Sequence, residues 1–355
     1  MDKKASNSLS ITINPKPMIR MFAPEGVIRF QEHDQATALL KPDSYIPGAT
    51  TFEAAPPAGQ FLLQTYSQPN YTIYKSTFIP ARDQVLRVEY GTQFLGFRIM
   101  IDNHIRYQLN GSRFYLMQGQ VNMVVAPWVN SEMQLRKNEL YVAFDLQIDP
   151  QWFAKLKINH PAIFEIAEGI GTNQTIILHG GPGFASIRVL DRMEDLLRDP
   201  GNESLVEDLI REVVEARAVK QSHRQISELQ IESLFRVKAE IKKHLASRQQ
   251  LRYWARSAGM NITYFKELFK TVFGITPYHY LLYERIREAK RLMQFYPHLT
   301  LSEVAVACGF TNYNNLRRAF YALENVTLSQ WQRLSNITCL LVSIGVGCIL
   351  KGGIA

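Results

Sequence analysis

Cysteine and clustered histidine are both scarce in this chain. Its 355 residues include three cysteines, which are Cys308, Cys339 and Cys348. No CxxC pair occurs, and no cysteine or histidine spacing suits a zinc site. The histidines of the N-terminal two thirds include four that stand apart in sequence: His33, His104, His160 and His179. The sequence therefore predicts no catalytic metal and no cofactor, and its few cysteines fit a reducing cytoplasm.

Motifs of hydrolytic and nucleotide-dependent enzymes are also missing. The chain has neither a nucleophile elbow nor a P-loop. The glycines between Gly169 and Gly183 do not form a phosphate motif. Gly169-Ile170-Gly171 lacks the later glycine, and Gly180-Gly181-Pro182-Gly183 has the composition of a turn. We therefore expect a protein that is not an enzyme.

Apolar runs long enough for a membrane span are absent as well. The longest candidate, Ile337–Leu350, is a charge-free stretch of 14 residues, whereas a spanning helix needs roughly 20. Three interpretations stay open, namely a packed or poorly ordered extension, an abnormal C-terminus without function, and a membrane anchor. The short length argues against the anchor. At the other end, the polar residues 1–10 lack the apolar core of a signal peptide, and we expect residues 1–20 to form a disordered tail.

Charge is distributed unevenly along the chain. The formal net charge is +8, but residues 231–336 alone hold 16 Lys and Arg against 7 Asp and Glu. The rest of the chain holds 24 basic and 25 acidic residues and is close to neutral. The whole basic excess therefore lies in the C-terminal third, as expected for a domain that displaces counterions from phosphates.

The same C-terminal third contains one sequence pattern twice, about fifty residues apart. The first copy reads Leu251-x-x-x-Ala255-x-x-x-Gly259-Met260, then Asn261 and Phe265-x-x-x-Phe269. The second copy reads Leu301-x-x-x-Ala305-x-x-x-Gly309-Phe310, then Asn312 and Leu316-x-x-x-Phe320. Each copy predicts a short helix, a tight turn at a glycine with positive φ, and a second helix that begins at an asparagine cap. Two helix-turn-helix units in one subunit indicate a DNA reader.

A long helix is predicted between the two units. Thr276 followed by Pro277 is typical of a helix start, with a threonine N-cap and proline at the first helical position. The helix is expected to run from Pro277 to about Gln294 and to separate the units rigidly. A separation of about 34 Å would place the two reading helices in successive major grooves on one face of DNA.

Residues from about 231 to 334 resemble the DNA-binding domain of the AraC/XylS family of bacterial transcription regulators. The residues that carry the resemblance are Phe269-Lys270, Gly274-Ile275-Thr276-Pro277-x-x-Tyr280-Leu281, Arg285-Ile286-x-x-Ala289, Val304-Ala305-x-x-Cys308-Gly309-Phe310 and Arg318-Ala319-Phe320. The pattern extends in register over roughly a hundred residues. It departs from the family at Asn325 and Leu328, where glycine and proline are usual.

The resemblance implies base contacts from outward residues of the two reading helices and their caps. In the first unit the matching positions are Asn261, Thr263, Lys266, Glu267 and Lys270, the last as a phosphate contact. In the second unit they are Asn312, Tyr313, Asn314, Asn315, Arg317 and Arg318. These residue types suit groove readout, because asparagine pairs with adenine, arginine or lysine with guanine, and glutamate with the cytosine amine.

The N-terminal part is predicted to be rich in strands. The predicted strands are Tyr71–Tyr74, Val85–Tyr90, Phe94–Ile101, Ile105–Leu109, Arg113–Met117, Val121–Ala126 and Leu140–Ile148. Short strands at this spacing indicate a small barrel or jelly roll. Helical patterns follow at Pro161–Glu168, Phe184–Leu197 and Glu203–Ala218. The apolar stripe of the last pattern, Leu205, Leu209, Ile210, Val213 and Val214, fits core packing and contact with a second subunit equally well.

The predicted fold class is α+β, with an N-terminal β-rich, jelly-roll-like domain with flanking helices and a C-terminal all-α domain. The expected organisation is a tail (1–20), a sensor or dimerisation domain (21–218), a polar linker (219–230), the double helix-turn-helix domain (231–336) and an apolar extension (337–355). The resemblance implies that the β-rich domain is cupin-like, nearest to the pyochelin-regulator-like subgroup.

These features predict a cytoplasmic, sequence-specific transcription regulator that responds to a small-molecule effector. The resemblance implies double-stranded promoter DNA and RNA polymerase as partners, and a homodimer. Two alternatives stay open. One is a constitutive DNA-binding protein whose N-terminal domain only dimerises, and the other is a cupin-like enzyme domain fused to a DNA reader. An apolar cavity with a polar mouth would favour the sensor, whereas converging histidine and carboxylate side chains would favour the enzyme.

Overall fold

A computed structural model describes residues 20–331 except 25, 34–44, 55–56, 157–165, 167–168, 216–225, 248–250, 297 and 325. The described residues form two compact units that divide between Ile231 and Glu232, with Val272–Gly274 grouped in the first unit. Several predicted segments lie outside the described residues. They are residues 1–19 of the tail, most of the helix at 161–168, most of the linker, and the extension 337–355.

The first unit is built mainly from strands. In chain order these are β1 (Arg20–Ala23), β2 (Gly26–Val27), β3 (Gln31–His33), β4 (Thr50–Ala54), β5 (Gly59–Ser67), β6 (Tyr71–Pro80), β7 (Gln84–Tyr90), β8 (Phe94–Asp102), β9 (Ile105–Leu109), β10 (Ser112–Leu116), β11 (Gln120–Ala126), β12 (Val129–Leu135), β13 (Tyr141–Ile148), β14 (Ile176–Ile177) and β15 (Gly183–Phe184). All pairings among them are antiparallel.

The strands form two sheets that share a core. One sheet has the order β10-β9-β12-β7-β1-β2, and the other has the order β14-β11-β8-β13-β6-β5-β4-β3, with β15 beside β11. Apolar side chains of both sheets belong to one buried cluster, to which Leu86 and Met133 contribute from the first sheet and Phe61 and Met100 from the second. The predicted β-rich N-terminal domain is therefore confirmed.

The helices of the first unit include α1 (Pro150–Lys155), α2 (Ile187–Arg198) and α3 (Glu203–Glu215), besides a short 3-10 helix at Leu178–Gly180. Asp149 caps α1 by accepting a hydrogen bond from the Trp152 N–H at 2.8 Å, and Ser186 caps α2 in the same way. Helix α3 packs against α2. On α3, Leu209, Ile210, Val213 and Val214 are all buried within the unit. Of the two interpretations of this stripe, core packing is the one that the structure shows.

The second unit is helical. Its elements are α4 (Glu228–Lys243), α5 (Leu251–Ser257), α6 (Ile262–Phe273), α7 (Pro277–Phe295), α8 (Leu301–Ala307) and α9 (Tyr313–Glu324), although the first four residues of α4 and the last two of α6 are grouped with the first unit. Helix α4 begins at Glu228, inside the predicted linker. Helix α7 confirms the predicted helix from Pro277, since Thr276 caps it by accepting from the His279 N–H, and proline is its first residue. None of the helices in the described ranges has the length and apolar character that a bilayer crossing needs.

Helix α7 contributes to the packing of both helix-turn-helix units. Towards its beginning, the buried Tyr280 ring lies 5.8 Å from that of Phe269 in α6. Further along, Ile286 and Ala289 belong to the core of the second helix-turn-helix unit. That core is completed by Val304, Ala305, Cys308, Phe310, Leu316, Phe320 and Leu328. Burial raises the pKa of the Cys308 thiol to about 12, which suits the predicted role of a small buried residue.

Candidate nucleic-acid interface and interior cavity

The turns of the two helix-turn-helix units have the same hydrogen-bond pattern. In the first, the Met260 N–H donates to the Ala255 carbonyl and the Gly259 N–H to the Arg256 carbonyl, both at 2.9 Å. In the second, Phe310 donates to Ala305 and Gly309 to Val306, again at 2.9 Å. This pair of bonds defines a Schellman turn, which needs a positive φ at the glycine. Gly259 and Gly309 have φ of 69° and 84°, as the sequence predicted.

Each reading helix begins at an asparagine, as the sequence also predicted. Asn261 Oδ1 accepts from the Tyr264 N–H at 2.9 Å, and Asn312 Oδ1 accepts from the Asn315 N–H at 3.0 Å. Both side-chain oxygens are therefore occupied in capping. The side-chain amide nitrogens are the groups that these two residues can offer to DNA.

The first reading helix, α6, has one buried face and one exposed face. Phe265, Leu268, Phe269 and Val272 are buried. Thr263, Lys266, Glu267 and Lys270 are exposed. The amphipathic spacing therefore turns all four predicted contact residues of this helix to solvent.

The second reading helix, α9, presents most of its predicted contacts in the same way. Asn314, Arg317 and Arg318 are exposed, while Asn315 is half-buried and its Oδ1 accepts from Arg318 Nη2 at 2.8 Å. Tyr313 differs from the prediction of an outward side chain. It is half-buried against the core of the second helix-turn-helix unit, because an aromatic ring at the first turn of α9 gains more from packing than from solvent.

Basic residues in the helical part of the chain fall into two groups. Those of α7 are engaged by neighbouring groups: Arg285 donates from Nε to the Leu245 carbonyl at 2.9 Å, Lys290 pairs with Glu324 at 2.5 Å, and Arg291 pairs with Glu288 at 2.7 Å. Those of the reading helices are different. Within the described part of the chain, Lys266, Lys270 and Arg317 form no ion pair or side-chain hydrogen bond. The reading helices thus carry cations that no described group neutralises.

Two further exposed arginines were overlooked at the level of sequence. Arg252 and Arg256 lie one turn apart on α5, on the face opposite the buried Trp254. The first helix of a helix-turn-helix crosses the DNA backbone, so these side chains suit phosphate contacts. Their spacing of four residues was the signal that could have identified them.

A cavity of about 120 Å³ lies between the two sheets of the first unit. Most of its wall is apolar and includes side chains of both sheets. The apolar lining consists of Met21, Leu63, Phe78, Val88, Phe94, Phe97, Leu109, Val124, Val129 and Met133. The polar lining consists of Tyr74, Ser76, Tyr90, Arg98, Tyr107, Asn122, Ser131, Asp145 and Gln147. An apolar space with a few polar groups is typical of a small-molecule site.

The polar lining is organised into hydrogen-bonded groups. Arg98 donates hydrogen bonds to the Asp145 carboxylate from Nε at 2.7 Å and from Nη2 at 3.1 Å. Asn122 Nδ2 donates to the Tyr107 hydroxyl at 2.5 Å. A third group is the chain from the Tyr74 hydroxyl to Gln147 Oε1 and from Gln147 Nε2 to the Tyr90 hydroxyl. Sequence analysis identified none of these residues, because they come from strands far apart in the chain and each looks unremarkable alone.

Burial controls the charge states of this wall. Phenols are neutral at pH 7 even with an ordinary pKa of about 10, and desolvation raises the pKa of Tyr107 to about 12 and raises that of Tyr74 as well. Burial alone would lower the pKa of Arg98, but the charge and hydrogen bonds of Asp145 raise it. The wall therefore carries one fixed positive charge and one fixed negative charge in direct contact.

The histidines that the structure describes do not converge on the cavity, and His160 lies outside the described residues. His104 lies near Tyr115 and pairs with Glu228 at 3.2 Å, and neither His33 nor His179 lines the cavity. Among the residues that the structure describes, no three His, Cys, Asp or Glu side chains are close enough to hold a metal ion.

Comparison with known proteins identifies a domain in the C-terminal part of the chain. Residues 254–334 match the model of a helix-turn-helix domain. Over 138 residues the chain is 28% identical to LumQ, a probable transcriptional regulator of Photobacterium leiognathi, which covers 38% of this chain and 55% of LumQ. The chain thus spans about half the length of this relative.

Two solved structures show some likeness to this chain. The DNA-binding domain of AdpA, solved with a target DNA, is 24% identical and covers 30% of this chain and 95% of that chain, with a TM-score of 0.29. ToxT of Vibrio cholerae O395 is 9% identical and covers 75% of this chain and 98% of that chain, with a TM-score of 0.30. The sequence matches and the duplicated turns together carry the assignment: residues 254–334 of this chain form a helix-turn-helix domain of the AraC type.

Proposed function

We propose that this protein is a transcription regulator that reads promoter DNA with two helix-turn-helix units and responds to a small molecule. The observation that supports the proposal most strongly is the repeated unit. Two Schellman turns with matching hydrogen bonds each lead into a capped helix whose exposed face holds uncompensated cations. A solvated surface would not require the same geometry twice.

In this proposal α6 and α9 enter successive major grooves. Arg317 and Lys266 read guanine, Asn314 reads adenine, and Glu267 reads the cytosine amine. Lys270, Arg252 and Arg256 neutralise phosphates and set the register of the domain on the duplex. The distance of about 34 Å between the reading helices stays a prediction.

The first unit acts as the sensor in this proposal, and the cavity between its sheets is the effector site. Binding, rather than catalysis, is its task. The domain limits of 21–218, 219–230 and 231–336 are part of the same proposal. So are RNA polymerase as a partner, a homodimer on the promoter and a cytoplasmic location, because a promoter-bound regulator works where the polymerase and the chromosome are.

The test is genome-wide footprinting with the purified full-length chain, with and without candidate effectors. We expect discrete protected sites with two half-sites about one helical turn apart, and an occupancy that changes with an effector. Uniform, sequence-independent protection would contradict the reader. Discrete sites with an occupancy that no effector changes would favour the constitutive alternative.

A further inference from the structure

The cavity of the first unit has no net charge. Its fixed charges, Arg98 and Asp145, neutralise each other through two hydrogen bonds, and its buried phenols stay protonated. An anionic or cationic ligand would lose its hydration there without meeting an uncompensated opposite charge. The wall therefore favours a neutral ligand.

Two residues of the wall also hold buried hydrogen-bonding atoms that have no partner among the described residues. Asn122 Oδ1 accepts no hydrogen bond from any described residue, although Asn122 is only 2% exposed. Ser76 Oγ also has no hydrogen-bond partner among the described residues, and Ser76 is 3% exposed. Asn122 Oδ1 can only accept, so it calls for an O–H or N–H group. A buried polar atom without a partner is costly, which makes a ligand that supplies the donor favourable.

Size and lining limit the rest of the ligand. The cavity of about 120 Å³ is comparable to an engineered cavity of about 150 Å³ that binds benzene. Phe78, Phe94 and Phe97 lie in its wall and suit contact with a flat ring.

We propose that the cavity binds a neutral, single-ring aromatic molecule that donates a hydrogen bond to Asn122 Oδ1, as a phenol does. The apolar wall covers the ring. The proposal rests on the sensor role of the first unit and specifies what that sensor detects.

The test compares three probes of similar size with the full-length chain at pH 7. Phenol is neutral and donates, toluene is neutral and cannot donate, and benzoate is an anion. Dissociation constants come from titrations followed by NMR. We expect phenol to bind at least tenfold more tightly than either toluene or benzoate.

Two variants isolate the recognition atom. Asn122→Leu removes the acceptor and should reduce phenol binding to the level of toluene, while toluene binding persists. Asn122→Ala removes the same acceptor without adding bulk and should also reduce phenol binding to the level of toluene, which keeps the test valid if Asn122→Leu fails to fold. Gln134→Leu is the control, because it replaces an exposed amide on the outward side of β12 and should leave phenol binding unchanged.

Three results would overturn the inference. Benzoate binding more tightly than phenol would show that the site selects anions. Equal affinities for phenol and toluene would show that no donor is recognised, and failure of all three probes to bind at millimolar concentration would show that the cavity takes solvent alone. Promoter binding measured on the same preparation tests the proposed function separately, because it does not depend on any of the probes.

Discussion

Arg317 and Arg291 carry the same charge but have different surroundings. Arg291 on α7 is held by two hydrogen bonds to Glu288, whereas Arg317 on α9 is exposed and forms no ion pair with any described residue. An exposed guanidinium without a partner is ready to form the bidentate contact that reads guanine. The two residues therefore form a natural test pair.

We expect Arg317→Ala to cost about 1–3 kcal/mol of specific DNA binding and to relax the base preference at one position, because it removes one direct readout contact. Arg291→Ala removes the same charge from the same domain and should change affinity much less. A binding-site selection assay followed by titration measures both effects. Equal losses for the two variants would mean that overall charge, and not readout, explains the result.

The two turn glycines differ in what surrounds them. Gly259 and Gly309 both have a positive φ, so alanine at either position should cost about 1–2 kcal/mol of stability. A side chain at Gly259 would meet open space, whereas one at Gly309 would meet the Leu245 carbonyl, and Ala246 Cα at 2.7 Å. We therefore expect Gly309→Ala to lower the free energy of unfolding by about 1–3 kcal/mol more than Gly259→Ala.

Urea unfolding of the two alanine variants beside the wild type measures this difference. Gly259→Ala is the matched control, since it introduces the same backbone strain without the contact. Equal destabilisation would show that the chain around Leu245 and Ala246 yields at little cost.

At this scale the sequence predicts backbone features better than site features. The positive φ of Gly259 and the cap at Asn261 follow from local chemistry, and both are confirmed. Tyr313 was placed outward because helical spacing allows it, and tertiary packing draws it inward. The pairing of Arg98 with Asp145 joins residues 47 positions apart, which no local pattern records.

Among the elements, helix α3 changes most in interpretation. Its apolar stripe was compatible with a second subunit, yet Leu209 and Val213 are buried within the first unit. Among the strands, one was missed by the sequence prediction and another was predicted with its limits. Strand β12, Val129–Leu135, was not predicted although its buried residues alternate from Ser131 to Leu135, because three of its seven residues, Asn130, Glu132 and Gln134, face solvent and dilute its apolar character. Strand β9 has few such residues and its predicted limits are confirmed.

We expect Leu209→Glu to destabilise the first unit by about 3 kcal/mol or more, because it places a carboxylate without a partner in an apolar core. Arg211→Glu introduces the same side chain at an exposed position of the same helix and should be nearly neutral. Urea unfolding monitored by circular dichroism distinguishes them. If Leu209→Glu instead stays folded and turns a dimer into a monomer in sedimentation, the stripe is an interface between two copies.

On the scale of the whole molecule, the two parts of the chain differ in net charge. Residues 231–336 hold the entire basic excess, while the rest of the chain is close to neutral. Charge balance and the duplicated pattern were enough to predict a DNA-binding part and a separate β-rich part. They could not predict the cavity, because its wall combines nine strands from two sheets.

We expect promoter binding by the full-length chain to weaken steeply with salt, since each neutralised phosphate releases counterions. Six or more phosphate contacts would give a slope of about −5 or steeper in a plot of log K against log salt. Lys270→Ala should make this slope shallower by about 1 and weaken all sequences alike. Glu267→Ala, one turn away, removes an acidic group and should leave the slope as steep as in the wild type. A flat dependence in the wild type would show that the basic excess is only solvated surface.

Helix α7 packs against both helix-turn-helix units and fixes their relative rotation about its axis. Its first turn packs on Phe269 of the first helix-turn-helix unit, and its later turns contribute Ile286 and Ala289 to the core of the second helix-turn-helix unit. Neither helix-turn-helix unit can therefore rotate about the axis of α7 independently of the other. Each residue added to a helix rotates the remainder of that helix by about 100°. The spacing of the two DNA half-sites is thus set by the rotation between the two reading helices, and not only by the distance between them. Five extra base pairs, about half a turn of DNA, would place the second half-site on the far side of the duplex from α9.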